Sequence, residues 1–144
     1  MNPRAYLLER FETDAAVLRA RATALRAGPP QPGPDAATSD RMAEACEDVV
    51  AMLLASPPHD DEHDAVAALV ELLPMLEQRA SAVDAAGHCA TARGASAPVR
   101  AVYLGAATRI REVRDTVARH VAQEGAHDSD DHDLDDGDDD DQDA

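Results

Sequence analysis

Between Val66 and Val83 the apolar residues recur every three or four positions, as Val66, Leu69, Leu73, Leu76, Ala80 and Val83. A helix brings that spacing onto one face, whereas a half-buried strand needs strict alternation. Three further stretches carry the same rhythm. The first has Leu8, Phe11, Ala15, Leu18, Ala22 and Leu25, and the second has Met42, Cys46, Val49, Val50 and Leu53. The last has Val99, Tyr103, Ala106, Ile110, Val113, Val117 and Val121. Helix-breaking residues separate them. Asn2 suits a cap and Pro3 a first turn, while the run "GPPQPGPDAATS" from Gly28 reads as a loop. Ser39 or Asp40 is the expected cap of the second helix, and Ser56-Pro57-Pro58 its stop. The third opens at "HDDEHD", contains Pro74, which removes a backbone bond and should kink it, and ends at Gly87 or Gly94. The fourth is expected to start after Ser96, with Pro98 in its first turn, and to stop at Gly125. Four amphipathic helices with short connections predict an all-α, four-helix up-down bundle over residues 1–125.

The core of such a bundle is thin. The chain holds one Phe, two Tyr, no Trp and thirty-one Ala, so each turn buries less area than a Leu-rich turn would. Apolar surface left over after folding predicts a homo-oligomer. The net charge is −16, and eleven of the twenty-nine acids lie in residues 127–144, which leaves residues 1–125 at −5. Unneutralised carboxylates repel phosphates, so nucleic acid and anionic membranes are disfavoured as partners. All thirteen basic residues are Arg, a pattern that AT-poor coding explains as well as any taste for bidentate contacts. Two cysteines, Cys46 and Cys89, are too few for a disulfide framework. With no apolar run of signal-peptide or bilayer-spanning length, a soluble, cytoplasmic protein is expected.

The end of the chain, "HDSDDHDLDDGDDDDQDA", fails as a calcium loop. With Gly137 at the sixth loop position, His132 and Leu134 fall where acidic ligands belong, and no Glu follows. Aspartate and glycine form poor helix, so residues 126–144 are expected to be a disordered, solvated tail. Its roles would be solubility or docking on a basic protein surface, the helix-four arginines Arg100, Arg109, Arg111, Arg114 and Arg119 among them.

Reactive constellations are sparse. His59 and His63 stand at i and i+4, and an up-down bundle would bring His120 to the same end, the makings of a transition-metal site. The competing expectation is a solvated helix start. His88 and Cys89 are adjacent and so point to different sides of a helix, with nothing placed to orient the imidazole. "RDTVARH" contains Arg114, Asp115 and His120, and resembles the R-x(4–6)-H signature of HEPN ribonucleases, compact helical domains. That resemblance implies metal-independent RNA cleavage by Arg114 and His120, cooperating across a dimer. No phosphate-cradling glycine loop is present, no cofactor is implied, and low aromatic content argues against base stacking.

Two further stretches resemble a known family. "YLLERFETD" at 6–14 and "LLPMLEQRASAVDAAGHC" at 72–89 are similar to parts of a chordopoxvirus late protein family. Its members belong to the seven-protein complex that joins viroplasm to immature virion membranes. The likeness rests on Tyr6, Leu7, Leu8, Phe11 and Asp14, then a Leu-rich run, Gln78 and Gly87-His88-Cys89. It implies a self-associating, non-enzymatic assembly protein of viral factories or virions. The residues themselves lead to a helical interaction or scaffold protein, with protein partners rather than a substrate.

Overall fold

The computed structural model describes residues 2–86 and 90–142, with side chains over 2–83 and 96–125. Among the described residues every regular element is helical: α1 (Pro3–Ala27), α2 (Ala36–Ala55), α3 (Glu62–Val70), α4 (Leu73–Ala86) and α5 (Ala90–Gln142). The fold is all-α. Asn2 caps α1 as the sequence suggests, its Oδ1 accepting from the backbone N–H of Arg4 at 3.0 Å and of Ala5 at 3.2 Å. At the other end the Gly28 N–H donates to the Ala24 carbonyl at 2.9 Å.

Three boundaries differ from expectation, each for a physical reason. The cap of α2 is Asp35, whose side chain accepts from the Thr38 N–H at 2.8 Å, so Ala36–Ala37–Thr38 are helix rather than loop. Ser39 and Asp40 lie inside α2, where Asp40 serves Arg19 and Arg26 of α1. The third expected helix is two helices, broken at Glu71–Leu72. The Leu72 N–H turns back to the Leu69 carbonyl at 3.0 Å, and α4 restarts so that Pro74 falls in its first turn. There the missing N–H costs no intrahelical bond. Finally, α5 begins at Ala90, holds Pro98 in its interior, and carries helical backbone past Gly125. The side chains after Gly125, those of the Asp-rich tail, lie outside the described residues. Gly87, His88 and Cys89 lie outside them too.

The chain runs up, down, up and down. Arg4 near the start of α1 donates through Nε to the Leu53 carbonyl near the end of α2 at 3.0 Å, and Arg26 at the far end of α1 pairs with Asp40. These two helices are therefore antiparallel. The third rod, α3 followed by α4, packs back along α5, with Arg111 reaching Glu77 at 2.6 Å. Loop 28–35 is held by Arg21, whose guanidinium donates to the carbonyls of Pro32 at 2.8 Å and Pro34 at 3.0 Å. Gly33 has φ 103°, and a side chain there would crowd that same guanidinium.

Leu7, Phe11, Cys46, Val49, Leu53, Leu69, Leu76, Tyr103 and Ile110 form one contiguous core with intervening alanines. Full burial of each large side chain contributes about 1.5–3 kcal/mol.

Candidate interaction surface

α1 packs chiefly on α2, and α4 on α5, whereas α1 and α5 meet much less closely. A groove runs along that seam in two lobes. The upper lobe, about 350 Å³, is walled by Phe11, Val17 and Leu18 of α1, Met42 and Cys46 of α2, and Val102 and Gly105 of α5. The lower lobe, about 320 Å³, lies between Pro3 and Tyr6 of α1 and Val113, Thr116 and Val117 of α5, with Glu62 at its rim. Arg109 lines both and so stands between them. The lining is mainly apolar with a few charged groups, the usual character of a binding cleft. Tyr6 is 41% exposed and Val17 62% exposed on the α1 wall. Both sit off the core stripe of α1, on the side facing the groove.

The electrostatics of the groove centre on Arg109. It is half-buried, and no hydrogen bond or ion pair joins it to another described residue. Asp14, in the upper lobe, is held only by Arg10 of its own helix at 3.6 Å. Cys46 at the floor is an inert thiol: burial first, then nearby Asp14 and Glu47, push its pKa up to about 11. Such a group stays protonated and is a poor nucleophile.

Beside the groove a polar network runs from the core edge to the surface. The Tyr103 hydroxyl donates to Asp48 Oδ2 at 2.8 Å, and Arg79 Nη1 donates to the same oxygen at 2.9 Å. Burial and that bond push the Tyr103 phenol up to about 12. This triad ties α2, α4 and α5 together.

The residues singled out for chemistry are not assembled. Arg114 is bonded through Nε to its neighbour Asp115 at 3.1 Å, and His120 lies 3.8 Å from Glu124, one turn on. His120 is six positions after Arg114, which puts them about a third of a turn apart around α5. His59 precedes the Asp61 cap of α3, so it shares no helix face with His63, and both are exposed. His120 is at the same end of the bundle but on an outer face. Among the described residues no three His, Cys, Asp or Glu side chains come together to hold a metal. Nor is any helix there long and apolar enough to cross a membrane.

The groove escaped sequence reading because it is a relation between the first and last helices. The one local signal is that Tyr6 and Val17 fall off the core stripe. Comparison with protein-family models, with curated proteins and with solved structures finds no match for this chain.

Proposed function

We propose that this chain is a non-enzymatic interaction protein that acts by helix packing and associates with itself. The observation that carries this reading is the open α1–α5 seam, where Tyr6 and Val17 remain exposed beside an apolar cleft. An apolar groove of this length is the surface that amphipathic helices dock into. His59 and His63 lie exposed at the start of α3 and share no helix face, which favours packing over metal chemistry. The similarity of residues 6–14 and 72–89 to the poxvirus assembly family agrees with it, since 6–14 is a wall of this groove. On that reading the protein serves as a scaffold component of viral assembly.

The test is the solution mass of the full chain, by sedimentation equilibrium from low to high micromolar concentration. A mass that rises from one chain to two or more is the expected result. A single-chain mass throughout that range overturns self-association.

A further inference from the structure

We infer that the α1–α5 groove seats α1 of a second copy of this chain, laid antiparallel across a two-fold axis that passes beside Phe11 and Glu12. This rests on the self-association proposed above and names its surface. A two-fold interface must be self-complementary, each patch matching its own rotated image. The outward face of α1 meets that demand. Its exposed apolar residues, Tyr6 and Val17, lie on one face three turns apart, with Arg10 and Asp14 between them. Rotation about the axis sets Tyr6 opposite the partner's Val17 and Arg10 opposite the partner's Thr13, while Asp14 falls level with the partner's Glu9 at the flank of that face. Apolar ends meet apolar ends.

The same rotation also matches levels on the far wall. Tyr6 is level with Val113 on α5, and Val17 is level with Val102 and Gly105, because those residues share lobes. The partner's Tyr6, opposite Val17, therefore arrives at the upper lobe, and the partner's Val17 at the lower one. The partner's Asp14 arrives between the lobes, where Arg109 has no ion-pair partner among the described residues. A guanidinium in a dry cleft gains most from a carboxylate that the association itself delivers. The wall is open at Gly105, where an added Cβ would meet nothing within 4 Å, which leaves room for the incoming ring.

Four variants of the full chain test this by sedimentation equilibrium, with circular dichroism and melting temperature as folding controls. Val17→Asp puts a charge on a residue that is already 62% exposed, and Gly105→Gln fills the upper lobe with a better helix former. Each should weaken the dimer about tenfold or more while the monomer keeps its helicity and melting temperature. Arg109→Asp should weaken it comparably, and Arg109→Asp combined with Asp14→Arg should recover most of the loss. A wild-type dimer whose dissociation constant ignores all three positions overturns the groove as its interface and leaves self-association standing. A wild-type chain that stays monomeric overturns both.

Discussion

Tyr103 and Ser39 show at the residue scale how partners decide the worth of a buried hydroxyl. The Tyr103 O–H meets a carboxylate that also holds Arg79, whereas the Ser39 Oγ is buried and has no partner among the described residues. Hydrogen bonds to charged groups are worth more than neutral ones, and an unmet buried polar atom is a cost already present in the native state. Tyr103→Phe should therefore destabilise the bundle by about 2 kcal/mol, and Ser39→Ala by less than about 0.5 kcal/mol or not at all. Urea unfolding of both variants checks this; equal losses would mean that the triad contributes nothing beyond packing. Leu7, Phe11 and Ile110 belong to the core with no comparable subtlety, since their burial follows from shape and apolarity alone.

At the scale of the element, the caps explain both what was legible in the sequence and what was not. Asn2 before Pro3, and Ser56 before two prolines, are unambiguous because no competing residue stands nearby. Asp35 was hidden. Pro32, Gly33 and Pro34 extend the look of a loop, and Ser39 and Asp40 offer equally good caps four residues on. Tertiary contacts settled it, by burying Ser39 and pairing Asp40 with the arginines of α1. The break at Glu71–Leu72 was announced by Pro74, but whether it would be a kink or a stop depends on what α3 and α4 each pack against. The groove was not legible at all, because periodicity within one helix says nothing about the gap between two.

The Asp35 cap also carries a pH signature. Hydrogen bonds from Thr38, first side chain and then backbone, hold its carboxyl below the ordinary value. A carboxylate lowered in the folded state adds stability above the unfolded pKa of about 4, and that stability is lost as pH falls through the folded value. Asn also caps helices well but cannot ionise. Wild type should therefore melt above Asp35→Asn at pH 7, with the gap closing as the pH is taken below about 4. A gap that does not change with pH would assign the cap to geometry alone.

For the whole molecule, charge sets the conditions under which two copies meet. Each chain carries −16, so net charge opposes the approach of two copies, and the proposed Asp14–Arg109 contact is the local attraction set against it. Salt screens the diffuse repulsion over about 10 Å at 0.1 M, while a half-buried pair is screened much less. Raising salt from about 20 to 200 mM should therefore tighten association of the full chain, seen as a lower dissociation constant in sedimentation equilibrium. Weaker association with salt would mean that local ion pairs outweigh the net charge. The surface bridges Arg19–Glu47 and Arg111–Glu77 are about half exposed and add little to stability under either condition.

The far end of α5 has a practical bearing on all such measurements. Where Pro3 closes the lower lobe beside Val117, α5 does not stop: Ala118–Gly125 are exposed on every side, a spar about 12 Å long. A body with such a projection tumbles more slowly than a sphere of its mass and leaves a sizing column early. Retention volume would then count more subunits than are present, whereas a measurement that weighs the particle would not be misled by its outline.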